Sequence, residues 1–304
     1  MPRSRVVSTD PAPGFHDGTN APASRLQMRL QGLGMAMFRL FLHEFWLFGL
    51  KQAWACLFGG AFLALILATR FYYPEGAWLS RYDFLCFAAL GIQGLLLALK
   101  LETWEEAAVI AVFHVVGTIM EIYKTQAGSW AYPEPSLLKI GEVPMFSGFM
   151  YSAVGSYIAR AARLFDFRYS FYPRMRWTIL LAGLIYVNFF THHFLPDIRL
   201  GLFAAIAILF WRTQIYFTVD REPRSMPLLL GFFLVAFFIW IAENIGSFGQ
   251  VWIYPNQRHG FALVSLGKLG AWYLLMIVSF VLVSLVHRPV LLARSACSPA
   301  PIAG

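Results

Sequence analysis

The stretch that decides the fold is GSWAYPEP, residues 128–135, because the chain repeats it 122 residues later as QVWIYPNQ, residues 250–257. In both copies the Trp, the Tyr and the first Pro follow a glutamate by nine, eleven and twelve residues. These glutamates, Glu121 and Glu243, lie near the ends of apolar runs. A phrase repeated at one long offset predicts an internal duplication.

The composition is that of a membrane protein. Of 304 residues, 59% are hydrophobic and 13% are charged, about half the usual share for a soluble domain; the mean hydropathy is +0.60. The net charge of +8 does not indicate a nucleic-acid partner here, because the basic residues flank apolar runs and so favour one orientation in a bilayer. The three cysteines show neither a disulfide framework nor zinc spacing.

Eight apolar runs are each about long enough to cross a bilayer. We place them at 52–70, 83–100, 105–123, 144–164, 177–195, 199–219, 226–245 and 264–287. The predicted fold class is therefore an all-α membrane protein of about eight transmembrane helices, within a domain at 51–290. Four runs separate the two repeated turns, which predicts two parallel four-helix repeats at about 52–165 and 176–288.

The two ends of the chain have a different character. Residues 1–24 are rich in Pro, Ala, Ser, Gly and Thr, which predicts a disordered cytoplasmic tail. Residues 25–50 are apolar but interrupted by charged and ionisable side chains, so we expect an amphipathic helix at the membrane interface. A further spanning helix is the alternative. Residues 291–304 are predicted to form a second cytoplasmic tail.

The distribution of basic residues predicts the orientation. With the N-terminus inside, seventeen of the 24 Lys and Arg fall in the inner tails and loops. The outer seven are Arg70, Arg81, Lys124, Lys139, Arg199, Arg258 and Lys268. This bias favours both termini on the cytoplasmic side of a bacterial inner membrane, with both aromatic turns outside.

Glu121 and Glu243 are the candidate catalytic acid and base. A carboxylate inside a membrane is costly and usually faces a protein interior or a wet cavity. The plainer alternative is a pair of helix-end carboxylates that reach the headgroups. His114 lies two turns before Glu121 on the same helical face and is a further catalytic candidate, although a histidine in a helix is more often a packing residue.

The repeated aromatic residues are candidates for substrate binding. Their rings could stabilise a developing cation, whereas the plainer interpretation is an interfacial aromatic belt followed by a proline that stops a helix. The predicted substrate-binding set is Trp130, Tyr132, Trp252, Tyr254 and Asn244.

Two further polar groups fall on the predicted outer side. His192, His193 and Asp197 follow one another closely and could bind a divalent metal, with His192 also a catalytic candidate. The alternative is a histidine pair at a hairpin with Asp197 near a helix start. No cofactor is predicted outright. Glu142 and Lys268 occupy similar places in the two halves and are expected to form an ion pair between them.

Four passages carry a resemblance to a known family: IGEVPMFSGFMYSAVGSYIARAAR, NFFTHHFLPDIR, RSMPLLLGFFLVAFFIWIAENI and KLGAWYLLMIVSF. Over roughly residues 35–290 the chain resembles the YoaT-like proteins, an uncharacterised bacterial integral-membrane family. That resemblance implies the membrane fold and brings no established activity.

A more local likeness covers about 35 residues. The order of a glutamate, Gly-x-Trp-x-Tyr-Pro and Gly-x-Val-Pro resembles the membrane carotenoid lycopene cyclases and the related hydratases. The matching positions are Glu121, Trp130, Tyr132, Pro133, Gly141, Val143 and Pro144. Met145-Phe146-Ser147 stands where the cyclases have paired glutamates, so the cyclase acid is not carried over.

These features support three hypotheses. The first is an enzyme that modifies a lipid-soluble, isoprenoid-like substrate, because protonation of an alkene needs a carboxylic acid held neutral in an apolar site. The second is a transporter or binding protein for a small solute, which internal repeats would suit. The third is a metal-dependent membrane enzyme. Membrane lipids and a hydrophobic small molecule are the expected partners.

Overall fold

A computed structural model of the chain describes residues 21–257 and 259–292. The chain divides between Trp46 and Leu47 into two compact units. In the described ranges the helices are α1 Ala21–Ala55, α2 Leu57–Tyr72, α3 Arg81–Ala98, α4 Trp104–Gln126, α5 Ser147–Leu164, α6 Met175–Thr191, α7 Arg199–Phe210, α8 Leu228–Phe248 and α9 Leu266–Val286. The strands are β1 Lys139–Ile140, β2 Val143–Pro144, β3 Arg168–Ser170, β4 Gln214–Thr218, β5 Pro223–Pro227 and β6 Val290–Leu291.

The N-terminal helix is longer than the sequence predicts. The helix expected at 25–50 is present as α1 and extends beyond both predicted ends. The predicted tail at 1–24 is therefore wrong for residues 21–24, and residues 1–20 lie outside the described part of the chain. At the other end Leu291 pairs in β6, so the predicted tail begins too early, and residues 293–304 are likewise outside the described ranges.

The apolar helices confirm a membrane protein. Within the described residues α3, α4, α8 and α9 are long and apolar enough to cross a bilayer. Residues Met37–Ala55 and α2, bent by 71° at the break between them, would make a fifth crossing as one broken span. The remaining apolar helices α6 and α7 are shorter. Length and composition thus establish four or five candidate spans, and eight crossings stay a prediction.

The expectation of an all-α protein is wrong for one end of the bundle. The apolar run predicted to span at 199–219 leaves the helix at Phe210, and residues 214–218 form strand β4 instead. β4 is rich in β-branched and aromatic side chains and is followed by a charged turn and β5, which favours a hairpin over a helix. For the same reason α8 begins at Leu228, two residues after the predicted start of its span.

The hairpin belongs to a four-stranded sheet with the order β5-β4-β3-β6. Its neighbours pair antiparallel except for β3 and β6, which are parallel. The sheet joins the α5–α6 connection, the α7–α8 connection and the chain after α9. These are three segments that the distribution of basic residues predicts on one side of the membrane.

Helices α4 and α5 pack closely because glycines line their interface. A Cβ at Gly117 would lie 2.6 Å from the ring of Tyr151, and one at Gly155 would lie 2.7 Å from the ring of Phe113. The missing side chains let the two backbones approach. This approach brings the Tyr151 hydroxyl of α5 to Glu121 on α4.

Candidate functional site

Glu121 is buried near the end of α4 and is held by three donors. Its Oε2 accepts hydrogen bonds of 2.7 Å from the Trp130 indole N–H and from the Tyr132 hydroxyl. Its Oε1 accepts one of 2.7 Å from the Tyr151 hydroxyl. An interfacial carboxylate that simply reaches the headgroups is excluded by this burial, so the plainer interpretation of Glu121 does not hold.

Glu243 has the same kind of environment in α8. It is buried, and it accepts hydrogen bonds from the Tyr254 hydroxyl and from the Trp272 indole N–H. Each glutamate therefore binds the tyrosine eleven residues later. Each also binds an aromatic donor of a later helix, Tyr151 for Glu121 and Trp272 for Glu243.

The tyrosines of the two turns keep their protons. Burial, and then the charge of Glu121, raise the pKa of Tyr132 well above its usual value. Burial and then the charge of Glu243 do the same for the pKa of Tyr254. Both hydroxyls therefore remain donors at physiological pH.

The two repeated turns meet each other. Ala131 and Ile253 form an antiparallel bridge in which each N–H donates to the carbonyl of the other over 3.0 Å. Beside this bridge the rings of Trp130 and Tyr254 pack edge to face, with centroids 6.1 Å apart. One aromatic ring from each repeated turn thus contributes to a shared site. We call this site the centre; it comprises Glu121, Glu243, Trp130 and Tyr254.

Lys268 enters this centre from α9, which corrects one prediction. Its Nζ lies 4.5 Å from the centroid of the Trp130 ring and 4.4 Å from that of the Tyr254 ring, within cation–π range. The predicted ion pair between Glu142 and Lys268 is wrong. The Glu142 side chain is 87% exposed, in a turn, and lies 3.9 Å from Lys139.

Helix α3 anchors both turns through residues that the sequence analysis did not single out. The Arg81 guanidinium pairs with Glu134 at 2.7 Å and donates to the Gly249 carbonyl at 2.9 Å. The Tyr82 hydroxyl donates to the Val251 carbonyl at 2.8 Å. One helix start therefore touches the turn after α4 and the turn after α8.

Asp83 completes this anchor. Its carboxylate accepts hydrogen bonds from the Ser136 hydroxyl at 2.7 Å and from the backbone N–H groups of Leu137 and Leu138 at 2.9 and 2.8 Å. The signal available in the sequence was an Arg and an Asp in the first turn of an apolar run, where unpaired charges are costly.

The other aromatic members of the predicted set have separate roles. The ring of Trp252 covers Gly246, where an added Cβ would overlap it. The Tyr132 ring packs edge to face on Tyr82 and on Phe146. The predicted equivalence of the two halves thus holds for the tyrosine hydroxyls but not for the tryptophans, because only Trp130 bonds its glutamate.

His114 and Asn244 stand apart from the glutamates' bonding partners. The His114 ring packs on Phe149 with centroids 4.3 Å apart, and its Nδ1 would lie 2.5 Å from a Cβ at Gly148. Asn244 ties a loop to α8, because its Oδ1 accepts from the Val264 N–H at 2.9 Å. Asn244 thus anchors a loop, whereas the Nδ1 of His114 is buried without a hydrogen-bond partner among the described residues.

The histidine pair faces a lysine rather than an acidic cluster. The Nε2 atoms of His192 and His193 lie 3.5 and 3.1 Å from the buried Lys124 ammonium, while Asp197 pairs with Arg199 at 2.6 Å. Burial first, and then Lys124, lower the pKa of both histidines. Across 21–257 and 259–292 no three His, Cys, Asp or Glu side chains are grouped to hold a metal, and the metal site stays a prediction.

Two apolar grooves are lined by residues of α7, α8, α9 and the loop between α8 and α9. One, of about 410 Å³, runs along α9 and is lined by Leu269, Gly270 and Tyr273 among others. The other, of about 390 Å³, is lined by residues of α8 and the following loop, including Asn244 and Phe261. Both grooves include immediate sequence neighbours of residues in the centre, and neither is lined by a glutamate.

The fold and the centre define a helical membrane protein in which two buried glutamates bind aromatic donors. Residues 44–280 match the model of the family described as "Protein of unknown function (DUF817)", and the chain belongs to this family. It is 43% identical over 237 residues to "Uncharacterized protein YoaT" of Bacillus subtilis (strain 168), an alignment covering 78% of this chain and 89% of the relative. The resemblance to YoaT-like proteins is confirmed.

Among solved structures the chain is similar to a mycobacterial Insig homolog, MvINS from Mycobacterium vanbaalenii, with a TM-score of 0.43 and 14% identity. The match covers 62% of this chain and 97% of that one. A second structure, of a cross-linked MvINS trimer, gives the same values. No property of MvINS is transferred at this level of similarity. The local likeness to carotenoid cyclases and hydratases stays a prediction.

Proposed function

We propose that the protein is an enzyme that modifies a lipid-soluble, isoprenoid-like substrate by acid–base chemistry of Glu121 and Glu243. The observation that carries this proposal is the pair of buried carboxylates, one from each half, bonded to aromatic donors in an otherwise apolar bundle. Buried carboxylates within membrane helices are typical of functional sites.

In this proposal the two glutamates have complementary roles. One glutamate gives a proton to an alkene carbon and the other removes a proton from a neighbouring carbon, which shifts a double bond and needs no further reactant. The faces of Trp130 and Tyr254 stabilise the positive charge that forms between these two steps once Lys268 has moved away from them. Tyr132 and Tyr254, which keep their protons, hold the carboxylates in place.

The apolar grooves support a lipid-soluble substrate. Their volumes fall within the usual range for small-molecule sites, about 300–1,000 Å³, and their linings are almost entirely apolar. Asn244 of one groove is the neighbour of Glu243 in the chain, and Leu269 of the other is the neighbour of Lys268.

The test compares total lipid extracts by mass spectrometry. A deletion strain is complemented with the intact gene, with Glu121→Gln plus Glu243→Gln, or with Glu142→Gln as the matched control. We expect one lipid to change in the deletion strain and to be restored by the intact protein and the control only. Extracts that stay unchanged in the deletion, or full restoration by the double variant at equal expression, would refute the proposal.

A transporter or binding protein for a small solute is the second candidate. Lys268 lies between two aromatic rings and near two glutamates, so the centre accommodates a positive charge, which a solute cation or proton would also carry. Solute flux that depends on Glu121 while the lipid extracts stay constant would favour this candidate over the enzyme.

We further propose eight crossings arranged as two four-helix repeats, with both termini on the cytoplasmic side of a bacterial inner membrane. This proposal is supported because segments predicted on the same side of the membrane contact one another. The sheet joins three segments expected inside, whereas the anchor at Arg81 joins two turns expected outside. Recurrent glutamate–tyrosine bonds at the same spacing support the duplication.

A further inference from the structure

We propose that the faces of Trp130 and Tyr254 form a binding site for an organic ammonium group. Lys268 is a tethered occupant of this site, and a ligand with such a group displaces it. The inference goes beyond the enzymatic proposal and does not depend on it, because it concerns binding and not turnover.

The two rings present their faces to one cation. The Lys268 ammonium lies 4.5 Å from one ring centroid and 4.4 Å from the other, well inside the distance of about 6 Å at which cation–π attraction operates. The backbone bridge between Ala131 and Ile253 fixes the spacing of the rings. The site is therefore preorganised by the turns, and the lysine itself is not needed to build it.

The carboxylates strengthen the preference of both rings for a cation. The Trp130 N–H donates to Glu121 and the Tyr254 hydroxyl donates to Glu243. Donation to an anion polarises each ring system toward greater electron density. Each ionised carboxylate also attracts a cation that enters the centre.

The chemistry favours an organic ammonium over a metal ion. Mg²⁺ and Ca²⁺ require a shell of six or more oxygen ligands, whereas this site offers two ring faces and two carboxylates that already accept hydrogen bonds. The site is formed by one ring from each repeated turn, Trp130 from the first and Tyr254 from the second.

Chemical rescue tests the inference. In purified Lys268→Ala the missing atoms correspond to n-propylammonium, and n-propanol is the uncharged probe of similar size. We expect n-propylammonium to raise the melting temperature of Lys268→Ala in a saturable way, and n-propanol not to. The intact protein should bind the probe about tenfold more weakly or worse, because its tethered lysine competes.

Three further variants define the outcome. Lys268→Met fills the site without a charge and should show no saturable response, and neither should Lys268→Ala combined with Trp130→Leu. Lys139→Ala, at an exposed lysine, should respond like the intact protein. If Lys268→Ala folds poorly, recovery of folded protein on addition of n-propylammonium is the same readout. An equal response of Lys268→Ala and Lys139→Ala, or none in Lys268→Ala, would overturn the inference whatever the lipid comparison shows.

Discussion

At the scale of single residues, the hydrogen bonds to Glu121 determine how much stability is lost when one of its donors is substituted. Tyr151→Phe removes a donor to a buried carboxylate, a bond that contributes about 1.5–3 kcal/mol. Tyr123→Phe removes a donor to the Phe190 carbonyl, a neutral bond that contributes about 0.5–1.5 kcal/mol. We expect the first variant to unfold at a lower temperature than the second in detergent. The reverse order would show that Glu121 does not depend on Tyr151.

The histidine pair gives a prediction about pH. The His192 Nδ1–H faces the Asn188 carbonyl at 3.0 Å, which leaves Nε2 as the acceptor toward Lys124. The pKa of both histidines is lowered in the fold. Below about pH 6.5, the ordinary histidine pKa, the unfolded chain takes up protons before the folded one does, so stability falls with falling pH.

We therefore expect the melting temperature to fall between about pH 6.5 and pH 5, and the fall to be smaller in His192→Gln plus His193→Gln. Asp197, whose pKa Arg199 lowers, contributes to a loss only below about pH 4. An unchanged slope in the double variant would show that other groups control this range.

The sequence predicts some of these residues and not others, for physical reasons. Glu121, Glu243 and the two tyrosines are found because carboxylates in apolar runs are rare and their spacing repeats. Tyr151 and Trp272 are missed because their distances from the glutamates are 30 and 29 residues and their types differ. A bond between helices leaves no periodic signal unless both partners are duplicated.

At the scale of the elements, close packing of α4 on α5 depends on glycine. Gly148→Ala would place a Cβ 2.5 Å from both the His114 Nδ1 and the Thr118 hydroxyl. We expect a loss of about 1–3 kcal/mol from overpacking. Gly60→Ala is the matched control, since nothing lies within 4 Å of its Cβ position and alanine favours a helix by up to about 1 kcal/mol. Comparable melting temperatures for the two variants would contradict this account.

The first turn of α3 holds the loop between α4 and α5 in place, so it should determine how easily a protease cuts that loop. Asp83→Ala frees Ser136, Leu137 and Leu138 from their shared acceptor. We expect proteolysis in this loop to accelerate by about tenfold or more, as the loss of bonds to a charged group implies. Asp166→Ala, at an exposed aspartate paired with Arg168, should leave the cleavage rate unchanged. A slow rate in both variants would show that the loop is held by other contacts.

The sequence predicts helices well where an apolar run is long. The prediction fails where one apolar run changes from helix to strand. All nine helices of the described residues fall on predicted apolar runs. The hairpin of β4 and β5 is missed because Ile215, Tyr216 and Phe217 continue the apolar character of α7. Hydropathy alone does not distinguish a strand from a helix in so short a run.

At the scale of the whole molecule, the turn after α4 and the turn after α8 meet at Ala131 and Ile253. Residues that exchange both backbone hydrogen bonds have Cα atoms about 5.5 Å apart, a distance that suits a disulfide. In a background lacking the native cysteines, Ala131→Cys with Ile253→Cys should cross-link under mild oxidation. A protease site in the β4–β5 turn reports the link, because cut protein stays in one piece until reduced. Separate fragments before reduction would place the halves apart.

The repeated spacing of glutamate and tyrosine is the part of the site that the sequence predicts best, and the position of Lys268 is the part it misses. The predicted repeat assigns Lys268 and Glu142 to equivalent places and so predicts an ion pair. In the structure Lys268 instead lies over one ring from each repeated turn, whereas Glu142 is exposed beside Lys139. Equivalent places in a predicted repeat therefore do not determine which side chains meet.

The late position of Lys268 in the chain has a consequence for biosynthesis. Glu121 leaves the ribosome long before the turn that contains Tyr254, and Lys268 emerges with the last helix. A product truncated before Tyr254 would retain Trp130, Tyr132 and Tyr151, the three donors to Glu121, but would lack the second ring and the ammonium of Lys268. The Lys268 cation therefore reaches the ring of Trp130 only in a chain whose synthesis has passed α9.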